Sequence, residues 1–152
     1  MKNLIASIHA SPFKAVLAIT GGGAEAIGEL LRHGNGSKTL LEAVVPYDPK
    51  SFDEFVHGTP DKYCSPDAAR TLAMAAFLRA TKLSDGPVVG VGASCSLTKD
   101  GERAGRKHFV HVAVQTATRT DTISYELSPA DRTSQETFAA ERILFALGTG
   151  CL

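Results

Sequence analysis

KAVLAITGGGAEAIGELL, residues 14 to 31, is the stretch on which the fold turns. Ala15 to Ile19 is a short apolar run suited to a buried strand, and Ala24, Ile27, Leu30 and Leu31 then recur at helical spacing. Between them stand Thr20 and the glycines Gly21, Gly22 and Gly23. The order is strand, glycine turn, helix. Glycine admits φ > 0 and lets a ligand approach the backbone closely. A helix that starts there points free N–H groups at an anion or carbonyl in the turn. A phosphate-bearing or acyl ligand fits such a turn, and so does a tight connection with no ligand. The run is neither G-x-G-x-x-G nor a P-loop, because no Lys-Ser/Thr pair follows the glycines.

On either side of this stretch the chain alternates strands and helices. Lys2 to Ala10 reads as a short helix ended by Ser11-Pro12, since the residue before proline avoids the α region. His33-Gly34-Asn35-Gly36 is a helix stop. Thr39 to Val45 reads as a second buried strand, broken by Pro46-Tyr47-Asp48-Pro49, and Ser51 as the cap of a short helix, Phe52 to Val56, closed by Gly58. Ser65-Pro66-Asp67 is the clearest helix start. Ala69, Leu72, Ala73, Ala76, Phe77, Ala80 and Leu83 then mark a helix running to about Lys82. Val88 to Ala93 predicts a strand whose Gly90 and Gly92 admit a close neighbour, followed by a polar loop, Ser94 to Gly105. His108 to Gln115 and Asp121 to Leu127 predict a hairpin, and Thr133 to Leu147 a last helix. The expected fold is α/β: a three-layer α/β/α sandwich with a mixed sheet of about five strands.

The composition narrows the function. A chain of 152 residues predicts one domain, 1–152. Lys plus Arg and Asp plus Glu both number 16, which argues against nucleic acid or an anionic membrane as the main partner. No apolar run reaches the roughly 18 residues of a transmembrane helix, and the N-terminal segment is too short in apolar residues for a signal peptide. The expected location is cytoplasmic. Cys64, Cys95 and Cys151 form neither a disulfide framework nor a zinc pattern, and Cys151, beside the C-terminus, reads as incidental. The five histidines lack ligand partners at metal spacing, so no metal is expected. No cofactor is called for.

The chemistry candidates gather at predicted strand ends. In an open α/β sheet the carboxyl ends of the strands line the ligand crevice. Thr20 and the Gly21, Gly22 and Gly23 turn follow the first strand, Tyr47 and Lys50 the second, and Ser94, Cys95 and Ser96 the third. All three groups are expected to line one pocket. Cys95 needs a base beside it to act as a nucleophile. No G-x-S-x-G elbow marks a Ser-His-Asp triad.

Taken in order, these pieces resemble the CinA C-terminal domain, the nicotinamide mononucleotide deamidase family. Thr20-Gly21-Gly22 matches the family's T-G-G after the first strand. Val45-Pro46-Tyr47 matches its V-x-Y, Cys64-Ser65-Pro66 its long-helix start, and Ala130-Asp131-Arg132 its G-D-R helix start. Order and spacing hold over nearly the whole chain. The departures fall on the chemistry. The positions of the family's glutamate, nucleophilic serine and neighbouring cysteine hold Leu17, Ala18 and Ile19. The family's lysine after the tyrosine is out of register, with Lys50 the nearest substitute, and Gly90-Val91-Gly92-Ala93-Ser94-Cys95 replaces its S-G-I-A-G-P loop.

The resemblance implies a small-molecule ligand, a nucleotide or a phosphate compound, and a homo-oligomer. Some domains of this divergent type are joined to a nucleotidylyltransferase-like domain, which this chain lacks, so a protein of that kind is a further expected partner. Three functions stay open. A binding domain keeps the glycine turn and drops the chemistry, which accounts for Leu17, Ala18 and Ile19. An amidohydrolase needs Thr20 as nucleophile with Tyr47 as base or relay and the Gly21 to Gly23 amides as oxyanion hole. A scaffold uses the glycines only for packing. Thr20 lies on the same side of the strand as Ala18 but about 6.6 Å further on, and attack geometry tolerates far less than that. Binding or vestigial activity is therefore the favoured expectation.

Overall fold

In a computed structural model of residues 1–152, Lys14–Thr20 forms β1, and every residue after Lys14 is buried. A strand buried on both faces explains why this run is apolar without alternation. Its odd residues Ala15, Leu17 and Ile19 enter one core with Ile5, Ile8, Ala26, Leu30, Ile143 and Leu147. Its even residues Val16 and Ala18 enter a second core with Phe52, Ala68, Leu72 and Ala76. The helices sort accordingly. α1 (Lys2–Ala10), α2 (Glu25–Leu31) and α5 (Arg132–Cys151) cover one face, and α3 (Pro49–Val56) and α4 (Pro66–Leu83) the other.

The sheet has five strands, adding β2 (Leu40–Val44), β3 (Val88–Ser96), β4 (Phe109–Gln115) and β5 (Thr120–Glu126), in the order β2-β1-β3-β4-β5. β1 runs parallel to β2 and β3, and β4 is antiparallel to both β3 and β5. The chain leaves β1 towards one edge through α2 and returns past β1 to β3 through α3 and α4. Right-handed crossovers in opposite directions place their helices on opposite faces, which yields the expected three-layer α/β/α sandwich with a mixed sheet.

α4 begins as its sequence indicates: the Ser65 hydroxyl accepts the Ala68 N–H at 3.0 Å, and Pro66 stands in the first turn. The helix then lies directly on β3. A Cβ on Gly90 would sit 2.3 Å from the Ala73 carbonyl oxygen, and one on Gly92 would sit 2.3 Å from the Ala73 nitrogen. Alanines on the helix and glycines on the strand thus bring two backbones together. Leu72 and Ala76 are buried and Phe77 is half-buried, but Leu83, the last residue of the helix, is 42 % exposed.

Other boundaries differ from the sequence reading. β2 is an edge strand, half-buried throughout, rather than a buried one. α3 starts at Pro49, because Asp48 rather than Ser51 supplies the cap, accepting the Lys50 N–H at 2.9 Å. His57, in the left-handed region at φ 60°, ends it instead of Gly58. β3 continues through Ser94, Cys95 and Ser96, which the sequence assigned to a loop, because β4 pairs with them: Ser94 lies opposite His111, Cys95 opposite Val110 and Ser96 opposite Phe109. α5 runs on to Cys151, past the expected end at Leu147 and through Gly148 and Gly150. Those glycines are contact points, since a Cβ on Gly150 would lie 2.7 Å from Val89. Cys151 is buried in the main core and is not incidental. No helix is long and apolar enough to cross a membrane.

Candidate functional site

Thr20 of β1 pairs with Ser94 of β3, and Ala18 of β1 with Val44 of β2, so the carboxyl ends of β2, β1 and β3 stand side by side. This is the edge where an open α/β sheet forms a ligand crevice. Leu17, Ala18 and Ile19 are fully buried there and carry no polar atom outside the backbone. Thr20 is 8 % exposed, and its hydroxyl enters no hydrogen bond within the chain.

The glycine turn is held by packing on three sides. Gly21 and Gly23 have φ of +81° and +91°. A Cβ on Gly21 would meet the Cys95 carbonyl oxygen at 1.8 Å, one on Gly22 the Leu97 side chain at 2.6 Å, and one on Gly23 the Ile143 side chain at 2.3 Å. The start of α2 is already occupied by the chain itself. The Glu136 carboxylate of α5 accepts the Gly23 N–H at 2.8 Å and the Glu25 N–H at 3.0 Å. A carboxylate satisfies a helix N-terminus both as acceptor and as negative charge. The Gly21 and Gly22 N–H groups donate to no acceptor in the chain.

Tyr47, just past the end of β2, is 60 % exposed. Lys50 lies in the first turn of α3, where its backbone N–H is capped and its side chain is exposed. Ser94 has a different task from the solvated ligand contact expected of it. It is fully buried, donates to the Tyr63 carbonyl oxygen, and accepts the Ser65 N–H at 3.3 Å. It anchors the segment that enters α4. Ser96 is half-buried, and its Oγ lies 3.2 Å from His108 Nδ1.

Glu102, Arg106, His108 and Glu136 also shape this end of the sheet, and sequence reasoning passed over them as site residues. The second ring nitrogen of His108 lies 2.9 Å from Glu102 Oε1. Hydrogen bonding from His108 is the main reason the Glu102 carboxyl is held below its ordinary range. The Arg106 cation acts on the Cys64 thiol, although burial wins and raises that thiol. Burial also drives the Cys95 thiol far up, so Cys95 stays a neutral, unreactive thiol at pH 7. No signal at fixed spacing marks these residues. Glu102 and Arg106 come from the loop between β3 and β4, and Glu136 reaches the turn from more than a hundred residues away. No three His, Cys, Asp or Glu side chains converge as a metal-ligand set. A hollow of about 910 Å³ lies elsewhere, between β2, α3 and α4, where Val44, Phe55 and Met74 line it.

By architecture this is an open α/β/α sandwich in which the carboxyl ends of three strands stand side by side. No protein-family model matches the chain, and no curated protein sequence does. Solved structures narrow the class. The competence/damage-inducible protein CihA of Agrobacterium tumefaciens superposes with a TM-score of 0.75 at 16% identity, covering 98% of this chain and 92% of that one. A CinA-superfamily competence-damaged protein of Enterobacter cloacae gives 0.68 at 18% identity, covering 99% and 89%. One of Escherichia coli gives 0.66 at 16% identity, covering 99% and 85%. The chain shares the fold of these proteins over almost its whole length.

Proposed function

We propose that this domain binds a small nucleotide-like or phosphate-bearing molecule at the carboxyl ends of β1, β2 and β3, and that it does not run the serine chemistry of the deamidases it resembles. The carrying observation is the end of β1. Leu17, Ala18 and Ile19 are buried apolar packing where the resemblance asks for glutamate, serine and cysteine, and a methyl group cannot attack an amide. Support for binding comes from polar groups without a partner in the chain, the Thr20 hydroxyl and the Gly21 and Gly22 N–H groups, and from the exposed Tyr47, Lys50 and Arg106 in the segments that follow β2 and β3. Glu136 already fills the start of α2, so an anion is expected to engage Gly21 and Gly22 rather than the helix itself.

Thermal unfolding with nicotinamide mononucleotide and with inorganic phosphate tests the binding. A ligand at a hundred times its dissociation constant adds about 2.7 kcal/mol, or roughly 5–10 °C for a chain of this size. No shift with any pyridine nucleotide or phosphate would remove the proposal. Ammonia release from nicotinamide mononucleotide tests the chemistry, with no turnover above background expected. The second reading, an amidohydrolase using Thr20 with Tyr47, draws on the unpartnered Thr20 hydroxyl. Turnover in the wild type that Thr20→Ala abolishes would establish it instead.

A further inference from the structure

We propose that Ser96, His108 and Glu102 form a hydrolytic triad acting on small acyl esters or amides, separate from the ligand chemistry inferred above. Ser96 Oγ lies 3.2 Å from His108 Nδ1, and His108 Nε2 lies 2.9 Å from Glu102 Oε1. Both distances fall within the reach required of a nucleophile, its base and the group that orients the base. The carboxylate can only accept, so the ring N–H facing it is on Nε2. The neutral imidazole therefore turns the lone pair of Nδ1 towards the serine hydroxyl, which is the orientation of a general base. Glu102 is in turn held by the Thr98 hydroxyl at 2.8 Å and the Lys99 N–H at 3.3 Å. His108 is buried while Ser96 keeps contact with solvent, so the base is shielded and the nucleophile is reachable. Such constellations are defined by geometry and roles rather than by position in the chain. Here the antiparallel pairing of β3 with β4 assembles it, with Ser96 opposite Phe109 and His108 one residue earlier.

The reaction closes without a co-reactant other than water. Ser96 Oγ bonds to the carbonyl carbon as its proton passes to His108 Nδ1, and Glu102 stabilises the imidazolium. The bond from carbon to the leaving group then breaks, and the leaving group takes the proton from Nδ1. Water attacks the acyl-serine, giving one proton to His108, and the released Ser96 oxygen takes that proton back. The products are the carboxylic acid and the protonated leaving group.

The test is labelling of the full chain with diisopropyl fluorophosphate, read by intact mass and peptide mapping. One adduct on Ser96, lost in Ser96→Ala, is expected. His108→Gln is expected to slow labelling by roughly a hundredfold or more. For Glu102, a positioning residue, Glu102→Gln slows labelling and Glu102→Asp, which keeps the carboxylate, restores much of it. Circular dichroism identifies any variant that fails to fold, and the wild type decides regardless. No adduct on Ser96 under excess reagent overturns the proposal, as does a Ser96 adduct whose rate is unchanged in folded His108→Gln. Neither result bears on the thermal-shift test of ligand binding, so the two proposals fail separately.

Discussion

At the scale of single residues, glycines of identical chemistry face opposite demands. Gly90 lies under α4, and a Cβ there would stand 2.3 Å from two backbone atoms, Ala73 O and Phe77 N. Neither atom can turn aside as a side chain would, so the helix has to move. Gly28, within α2, has nothing within 4 Å of the corresponding position. Gly90→Ala is expected to destabilise by at least about 1–3 kcal/mol, the cost of overpacking a tight core. Gly28→Ala is expected to stabilise by about 0.5–1 kcal/mol through lower entropy of the unfolded chain and better helix propensity. Urea unfolding of the two variants checks this, and equal midpoints would contradict the account. Both glycines are plain in the sequence, and the contact reading of Gly90 was available from its place in a strand. Ser94 was harder. A serine after an apolar run looks like the start of a loop, and only the approach of Tyr63 and Ser65 makes it a buried anchor.

At the scale of elements, α4 was the most legible part of the chain. Its cap, first-turn proline and apolar period all derive from local physics, and the helix spans the residues they mark. The period also separates the face over the sheet from the outer face. Leu72 is fully buried, while Leu78, on the same helix, is 52 % exposed. Leu72→Ala is expected to cost about 2–5 kcal/mol by opening a cavity, and Leu78→Ala to stay within about 0.5 kcal/mol of the wild type. A calorimetric comparison checks the pair, and similar losses for both would mean that the outer face of α4 is covered. β3, by contrast, was misjudged at its end. Ser94, Cys95 and Ser96 lack strong strand propensity, and pairing with β4 extends the ladder through them. The candidate site suffers from this most, because Ser96 lies in the extension and the loop that brings Glu102 to His108 begins only after it.

At the scale of the whole molecule, the shifted ionisations combine into one stability profile. The Glu29, Glu102 and Asp131 carboxyls are lowered, chiefly by hydrogen bonds from Arg32, His108 and Ser134 respectively. Burial lowers His111 from its ordinary 6.5. In each case the unfolded chain binds the proton more readily, so stability is lost as pH falls: first below about 6.5 from His111, then more steeply below about 4.5 from the carboxyls. Burial acts in the opposite sense on the thiols, pushing Cys151 up to about 11 from its ordinary 9.0 and raising Cys95 and Cys64 as well. The folded chain holds those protons longer, so stability is lost again as pH rises above about 9. Urea midpoints from pH 3 to 10 should trace a plateau between about 6.5 and 9, and a flat line across the whole range would contradict it. The sequence by itself determined the order of strands and helices, the α/β class and the buried β1 with its glycine turn, because hydrophobic period, caps and turn residues act between near neighbours. Only the tertiary structure decided that Glu136 closes the start of α2, that β3 runs to Ser96, and that Ser96, His108 and Glu102 meet. Those contacts join residues through strand pairing and layer packing, and no local pattern in the chain encodes which distant side chain a fold will bring alongside.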